Sequence, residues 1–223
     1  MKYIFYATLI TSICLCFTGC TMEKKYQRDC LKLDNGFWSF YSSDQEAKIQ
    51  DVWKIENDVI VCSGLPLGYL YSNDQYDDFM LKLEWRWPAG KEPGKGGVLI
   101  RMTGEHKIWP KSLEAQLNAG DAGDLWGLDG YELSGPIDRT RSLDNEKFGR
   151  LTNVKKTRAL EKSAGQWNTY EIIADGDTVT LVINGTEANK ATGCAANRGN
   201  ICLTSEGSEI HFRNVELKLL KNR

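Results

Sequence analysis

The sequence lacks any marked excess of positive or negative side chains. Its 28 Lys and Arg residues are nearly matched by 30 Asp and Glu residues, so the formal net charge is −2. The densest basic stretch is Lys155, Lys156 and Arg158, and a solvated loop accounts for it. Proteins that bind nucleic acid carry a basic patch or stripe. The composition therefore excludes nucleic acid as an expected partner.

Helical periodicity is also scarce. Alternation of apolar and polar residues recurs along the chain instead, and this pattern is typical of half-buried β-strands. The sequence contains no internal repeat, no low-complexity segment and no sign of a second domain. These features predict an all-β fold built as a two-sheet antiparallel β-sandwich.

Eight segments show the alternation most clearly, and turn residues separate them. Asp175-Gly176-Asp177 predicts a tight hairpin, and Asn184-Gly185-Thr186 predicts a turn after the next strand. A short helix is expected in the loop around residues 44–48. The predicted strands are Val59–Cys62, Phe79–Trp87, Gly97–Met102, Ser112–Asn118, Trp167–Ala174, Thr178–Asn184, Gly199–Thr204 and Ile210–Leu219.

The alternation also predicts which side chains face the core. In Phe79–Trp87 the odd-numbered residues are apolar and are expected to be buried. Two other strands divide in the same way. In one strand, one face carries Leu113, Ala115 and Leu117, and the other face carries Glu114, Gln116 and Asn118. In the other strand, one face carries Val98, Ile100 and Met102, and the other carries Leu99 and Arg101. The row of Glu114, Gln116 and Asn118 combines a carboxylate with amides, which suits hydrogen bonding to hydroxyl groups.

The N-terminal residues predict export. Tyr3 to Phe17 is an uncharged apolar run that is too short for a membrane-spanning helix but suits a signal peptide. It ends in Thr18-Gly19-Cys20, which resembles a bacterial lipobox. We expect residues 1–19 to be removed, Cys20 to be lipidated, residues 20–30 to form a tether and residues 31–223 to form one domain. The protein would then be membrane-anchored in the bacterial cell envelope. The alternative is a plain signal peptide that is cleaved nearby.

Only four of the seven cysteines belong to the expected domain or its boundary: Cys30, Cys62, Cys194 and Cys202. Their spacing matches neither a CxxC motif nor a metal site. A chain of this length needs no disulfide for stability, so buried free thiols are the expected state. One disulfide bridge of undetermined pairing is the alternative.

Polar and aromatic side chains are concentrated between residues 94 and 130. Trp109 and Trp126 lie there among carboxylates, amides and cations. Aromatic rings cover the apolar faces of sugar rings, and directional polar groups match sugar hydroxyls. We therefore expect a saccharide site whose contacts include Gln116, Asn118, Trp109, Asp124 and Trp126. Packing roles for the two tryptophans and a turn-capping role for Asp124 are the alternatives.

The order of short motifs resembles the 3-keto-disaccharide hydrolase family of exported, concanavalin A-like jelly rolls. GGVLIRMTG, WPKSLEAQL and AGDAGDLWGL are followed by GQWNTYEI, LVINGTEAN and GNICLTSEGSEIHFRNVEL. The resemblance implies a jelly roll whose concave sheet carries Glu114, Gln116 and Asn118. The chain departs from the commoner family pattern at Asn118, where many members have an acid, and at residues 203–207, where many have Gln and His.

The activity of that family implies a glycoside already oxidised to a ketone at C3. Loss of the acidified C2 proton lets the C1 oxygen leave, and water then adds to the enone. This route needs a base, a stabiliser of the enolate and an acid. Glu114 would then act as the base or the acid, and Arg101 and Lys111 would stabilise the enolate. His106 would transfer a proton or bind a metal ion, and Glu206 would contact the substrate. A divalent metal ion is a possible replacement for the cationic side chains.

Two other interpretations of the site remain open. Ordinary glycoside hydrolysis uses two carboxylates, but the same-face neighbours of Glu114 on its strand are amides, which disfavours it unless Glu206 or Asp124 approaches in space. A glycan-binding lipoprotein without catalytic activity would use the same aromatic and amide groups. In each case the expected partner is an oligosaccharide or glycoside.

Overall fold

The computed structural model describes residues 27–29, 33 and 36–220, and this part of the chain is almost entirely β. Its strands are β1 (Gln27–Asp29), β2 (Trp38–Ser42), β3 (Trp53–Glu56), β4 (Val59–Cys62), β5 (Gly68–Ser72), β6 (Phe79–Arg86), β7 (Gly97–Met102), β8 (Ser112–Gln116), β9 (Leu125–Leu128), β10 (Thr140–Asn145), β11 (Gly149–Val154), β12 (Asn168–Asp175), β13 (Thr178–Ile183), β14 (Thr186–Ala191), β15 (Asn200–Ser205) and β16 (Ile210–Leu219).

These strands form two antiparallel sheets. The first sheet has the order β14-β13-β12-β6-β16-β4-β3, and β1 also pairs with β16. The second sheet has the order β10-β11-β9-β8-β7-β15-β5-β2. The predicted two-sheet sandwich is confirmed, and each of the eight predicted strands is present within two residues of its expected bounds.

One short helix, α1 (Ile49–Val52), interrupts the strands. It begins after Lys48, whose backbone N–H donates to the Asp51 carboxylate over 2.8 Å. The short helix expected in a loop is present, but it lies directly after residues 44–48, because this capping contact starts the helical turn there. Within the described residues, no helix has the length and apolar character needed to cross a membrane.

The core lies between the sheets. Phe79, Leu81, Leu83 and Trp85 of β6 are each at most 2% exposed, as the alternation predicts. They pack in one cluster with the buried side of the second sheet, which includes Val98, Ile100, Leu113, Ala115 and Leu117. Because the even-numbered residues of β6 face away from this cluster, the first sheet presents a polar outer surface.

Both predicted turns are present. Asp175 pairs with Thr178 across a two-residue turn in which Gly176 has a φ of 57°. Ile183 pairs with Thr186 across Asn184 and Gly185, whose φ angles are 50° and 78°. Positive φ at both central residues is the geometry that an Asn-Gly hairpin turn favours.

An irregularity in β7 changes the direction of Arg101. The register with β15 shifts in this region, and Arg101 has a φ of 52°. Past the shift, Met102 packs with Leu99 in a second apolar cluster, not with Val98 and Ile100 in the core. The predicted facing is therefore wrong for Arg101 and Met102, because the extra backbone step reverses the alternation.

Cys62, Cys194 and Cys202 are buried and free, which confirms the expected thiol state for these three residues. Cys20 and Cys30 lie outside the described residues, as does the whole predicted signal peptide.

Candidate functional site

The candidate site lies on the outer face of the second sheet, the face that is turned away from the core. Glu114 of β8 lies opposite Leu99 of β7 on one side and opposite Trp126 of β9 on the other. Gln116 follows Glu114 on the same face of β8, and Asn153 of β11 lies opposite Trp126. Side chains from four adjacent strands therefore meet here.

A pocket of about 380 Å³ opens at one end of this face. Four residues expected from the sequence line it: Gln116, Asn118, Asp124 and Trp126. The indole N–H of Trp126 donates to Gln116 Oε1 over 3.3 Å, and the Asn118 side chain accepts from the Gly96 backbone over 3.0 Å. The structure thus brings together most of the predicted saccharide contacts.

The far wall of the pocket comes from residues that the sequence analysis did not select as site residues. They are Asp138, Arg139, Thr140, Arg141, Asn153, Lys155 and Lys156. Arg141 lies opposite Asn153 in the β10–β11 hairpin, and its guanidinium carbon is 5.5 Å from the centre of the Trp126 ring. Neither strand shows a regular apolar alternation, because Leu151 and Val154 are the apolar residues of β11 and lie three apart, so the sequence analysis predicts no strand there.

Asp124 has a structural anchoring role within the pocket wall. Its carboxylate accepts from the Lys156 backbone N–H over 2.9 Å and from the Asn153 side chain over 3.3 Å. The Lys156 ammonium lies 4.0 Å away and also contacts Asp121 over 3.2 Å. These contacts hold Asp124 as a fixed, paired anion beside the site.

Glu114 lies next to Gln116 and Trp126, two residues of the pocket wall, but it does not itself line the pocket and is 4% exposed. A Cβ atom on Gly97 would be 2.6 Å from Glu114 Oε1, so the carboxyl group lies directly over the Gly97 backbone. Burial raises the pKa of Glu114 well above its usual value, and the charges of Glu206 and Asp124 raise it further. A buried carboxyl group beside other acids favours its protonated form.

Glu206 lies on the other side of β7 from Glu114. It directly follows β15, and the Thr204 hydroxyl of that strand accepts from the Gly97 backbone N–H over 2.6 Å. Burial raises the pKa of Glu206, although the Thr204 side chain and the positive charge of Lys95 lower it. The acid that Glu114 lacks on its own strand is therefore supplied from β15.

The loop of residues 103–111 covers the rest of the face. Trp109 and Ile108 leave a cavity of only about 10 Å³ beside Glu206, Thr204 and Tyr69. Trp109 packs edge-on against Phe148, with ring centres 4.7 Å apart. Trp109 is thus part of an apolar cover and does not line the 380 Å³ pocket.

Three of the expected catalytic side chains lie away from the pocket. His106 packs among Tyr41, Tyr69 and Tyr71, and its Nδ1 is hydrogen-bonded to the Tyr69 hydroxyl over 2.9 Å. Lys111 is exposed at the start of β8. Arg101 has no exposed surface.

The guanidinium of Arg101 is bound by backbone carbonyl groups. It donates to Asp77 O over 3.0 and 2.8 Å, to Gly176 O over 2.8 Å and to Ala195 O over 3.2 Å. These contacts connect β7 to the β12–β13 turn. The geometry therefore corrects the expected enolate-stabilising role of Arg101 to a structural one.

Within residues 27–29, 33 and 36–220, no three His, Cys, Asp or Glu side chains are grouped so as to hold a metal ion. His106, the expected ligand, is engaged by tyrosines on the other side of the covering loop.

Several solved structures share this fold. The chain is similar to a provisionally named glycosyl hydrolase of Parabacteroides distasonis ATCC 8503, with a TM-score of 0.61, 16% identity and coverage of 87% of this chain and 99% of that one. It is also similar to the carbohydrate-binding module CBM66 of Bacillus subtilis, with a TM-score of 0.57, 12% identity and coverage of 82% and 95%.

A third similar structure is the β-glucanase of Bacillus licheniformis, with a TM-score of 0.52, 12% identity and coverage of 89% and 98%. The protein therefore has the jelly-roll fold of carbohydrate-active proteins. A comparison with curated proteins finds no significant match.

The family follows from the sequence. Residues 32–218 match the model of the 3-keto-alpha-glucoside-1,2-lyase-like domain, and the chain belongs to this family. The resemblance inferred from the order of motifs is confirmed.

Proposed function

We propose that this protein cleaves 3-keto-glycosides, with the sugar bound in the 380 Å³ pocket and Glu114 removing the C2 proton. The observation that carries the proposal is the position of Glu114, a buried carboxyl group directly beside Trp126 and Gln116, which line the pocket together with Asn118. Membership of the 3-keto-alpha-glucoside-1,2-lyase-like family supports the choice of substrate.

The chemistry of Glu114 suits a proton-transfer group. A C3 ketone acidifies the C2 hydrogen, but an ordinary carboxylate is a weak base towards carbon acids. A raised pKa brings a carboxyl group closer to neutrality and makes its ionised form a stronger base. Burial and the charges of Glu206 and Asp124 shift the pKa of Glu114 in that direction.

The pocket is suited to holding a sugar in place. Trp126 offers an aromatic surface, while Gln116 and Asn118 offer amide groups that match hydroxyls. The cations Arg141 and Lys155 border the same space and are candidates for contact with the developing enolate oxygen.

The experiment is a comparison of 3-keto-glucosides with their unoxidised parents in heavy water. Cleavage of the keto substrate with deuterium incorporated at C2 of the product is the expected result. We expect Glu114→Gln to lower turnover by roughly 10²- to 10⁴-fold, as loss of general acid–base help typically does. Cleavage of the parent glycoside without label at C2 would contradict the proposal.

A conventional glycoside hydrolase is the second candidate, and one observation favours it. Glu206 comes close enough to Glu114 to raise its pKa, which provides the two carboxyl groups that such enzymes need. Unlabelled cleavage of the parent glycoside is the outcome that would select it.

A glycan-binding protein without catalytic activity is the third candidate. Two observations favour this function: the Arg141 guanidinium lies over the Trp126 ring, and the Glu114 side chain is almost fully buried. Both features are compatible with binding alone, because neither depends on a catalysed reaction. Retained affinity for glycans without cleavage of either substrate would select this function.

We also propose that the protein is a lipoprotein of the bacterial cell envelope, anchored through Cys20. Thr18-Gly19-Cys20 after an uncharged apolar run supports the proposal. An envelope location would give the site direct access to exported or imported saccharides.

A further inference from the structure

We propose that the 380 Å³ pocket takes a saccharide with an anionic group, a carboxylate or a sulfate, and that Arg139 binds this group. The inference rests on the assignment of the pocket to a sugar in the proposed function, and it names the class of that sugar. The reaction proposed for Glu114 makes no use of Arg139, so this residue has a role only if the substrate is acidic.

Three cations of the pocket wall lie on one face of the β10–β11 hairpin. Arg139 directly precedes β10, and its carbonyl oxygen accepts from the Lys155 backbone N–H over 2.8 Å, so the two residues lie opposite each other and extend the ladder. Arg141 lies two residues further along, and alternate residues of a strand share a face. All three side chains line the pocket, which therefore has three positive charges side by side.

No carboxylate neutralises these three cations. Among the residues that the structure describes, none of the three forms an ion pair with an Asp or Glu side chain. Asp121 and Asp124, two of the three acids of the pocket wall, are engaged by Lys156. The third acid, Asp138, is exposed to solvent. Like charges that lie opposite each other destabilise a ladder, and a bound anion would relieve this repulsion.

The guanidinium of Arg139 is held in place by uncharged oxygen atoms. Its Nη1 donates to Oδ1 of Asn189 over 3.0 Å and also to the carbonyl oxygen of Lys155. These bonds fix the group without neutralising its charge. In the described part of the chain, Nε and Nη2 donate to no acceptor. These two atoms form the planar pair of N–H donors that binds a carboxylate or a sulfate through two parallel hydrogen bonds.

The support for Arg139 is rigid. Asn189 is 1% exposed, and its side-chain amide donates to the carbonyl oxygens of Gly123 and Val154 over 3.0 and 2.7 Å. The acceptor that positions the guanidinium is therefore itself fixed by the interior of the protein. A preorganised cation loses little conformational freedom when it binds a ligand, so more of the interaction free energy appears as affinity.

The opposite side of the pocket suits the ring of the same sugar. Trp126 of β9 provides an aromatic surface, and Gln116 and Asn118 provide amide groups. β11 lies between β9 and β10, so two strand spacings, about 10 Å, separate the backbone of Trp126 from that of the β10 cations. A sugar ring that contacts Trp126 can therefore direct a charged substituent towards Arg139.

The test measures the binding of three unoxidised sugars that the proposed reaction does not consume. Methyl glucoside is neutral, methyl glucuronoside carries a carboxylate at C6, and methyl glucoside 6-sulfate carries a sulfate there. We expect at least one acidic sugar to bind the wild-type protein roughly 10- to 100-fold more tightly than the neutral sugar in titration calorimetry. The tighter acidic sugar identifies the anionic group. The preference should shrink between about 0.1 M and 1 M salt.

A variant of Arg139 assigns the preference to this residue. Arg139→Met should lower the affinity for the acidic sugar to that for the neutral sugar. Arg150→Met is the matched control, because it removes the same charge from the same hairpin, but Arg150 lines a separate cavity with Ser142 and Thr152. Thermal unfolding checks that each variant is folded. If Arg139→Met does not fold, the comparison of the three sugars on the wild-type protein still decides the class of sugar.

The outcomes separate this inference from the proposed function. Equal affinities for the three sugars, tighter binding of the neutral sugar, or no binding of any of them overturns the inference, because an anion site must act before any reaction. Equal losses in Arg139→Met and Arg150→Met overturn the role of Arg139. Cleavage of 3-keto-glucosides without a preference for acidic sugars leaves the proposed function standing. A preference for acidic sugars without cleavage of any keto-glycoside supports the anion site and removes the proposed reaction.

Discussion

The carboxyl group of Glu114 occupies the space that a side chain on Gly97 would need, since a Cβ atom there would be 2.6 Å from Oε1 and 2.9 Å from Cγ of Glu114. The absence of a side chain at one position of β7 is therefore what allows an acid on β8 to lie flat against the sheet. The same glycine leaves its N–H free to reach Thr204.

Gly97→Ala should displace Glu114 and reduce activity without unfolding the protein. The neighbouring Gly96→Ala is the control, because its Cβ would come no closer than 3.3 Å to any side chain. We expect the Gly97 variant to lose at least an order of magnitude in turnover, as small misplacements of a reacting group do, and the Gly96 variant to lose little. Steady-state kinetics on both variants decides this, and equal activity would show that Glu114 is not constrained by Gly97.

Arg101 should matter for stability and not for the chemical step. Arg101→Met removes donors to three backbone carbonyl groups. Ala195 O keeps the Tyr131 hydroxyl as a donor, whereas Asp77 O and Gly176 O lose the guanidinium, at a cost of about 1–3 kcal/mol for each unsatisfied group. Arg150→Met is the control, because Arg150 is exposed. The free energy of unfolding measured in urea should be lower for Arg101→Met than for Arg150→Met. An Arg101→Met protein of normal stability and low turnover would restore the catalytic role expected from the sequence.

The stability of the protein should depend on pH through Glu114. Its folded-state pKa is raised, so the unfolded chain releases this proton at a lower pH than the native protein does. Protonated Glu114 therefore contributes to the free energy of unfolding at acidic pH, and this contribution is lost as the pH rises through the raised pKa. Unfolding free energies measured across the acidic-to-neutral range should fall with pH in the wild type and fall less in Glu114→Gln. The exposed Glu105→Gln should follow the wild type.

Cys20→Ser should release the protein from membranes or leave an unprocessed precursor. The lipobox-like Thr18-Gly19-Cys20 motivates the test, because anchoring of this kind depends on acyl chains on the cysteine. Membrane fractionation and determination of the mature N-terminus measure the result. Unchanged fractionation with cleavage at another residue would contradict the lipoprotein proposal.

The fold was largely predictable because successive side chains of a strand in a sandwich alternate between the buried apolar face and the polar face of the sheet. This alternation identified β6 and β8 and the burial of Leu81, Leu83 and Leu113. It did not identify β10, which is an exposed edge strand, or β9, which is only four residues long. Neither contains enough apolar alternation to be recognised alone.

The site was predictable only where residues are close along the chain. Gln116 and Trp126 belong to β8 and β9, and Asn118 and Asp124 lie in the connection between these strands, so the motif located them together. The approach of Glu206 to Glu114 and the turning away of Arg101 both depend on cross-strand register, which sequence spacing does not contain. The position of His106 depends on how the 103–111 loop folds over Tyr41, Tyr69 and Tyr71.

The β10–β11 hairpin has a consequence for how this fold diversifies. It supplies Arg141 and Asn153 to the pocket wall from the edge of the second sheet, and its β10 strand is mostly exposed. Substitutions along that strand disturb little packing, so they are tolerated more readily than changes in β6 or β8. Glu114 stays fixed against the Gly97 backbone near the middle of the sheet, while the opposite wall is free to vary. Sequence drift at one edge would therefore change the shape and charge of the pocket without moving Glu114.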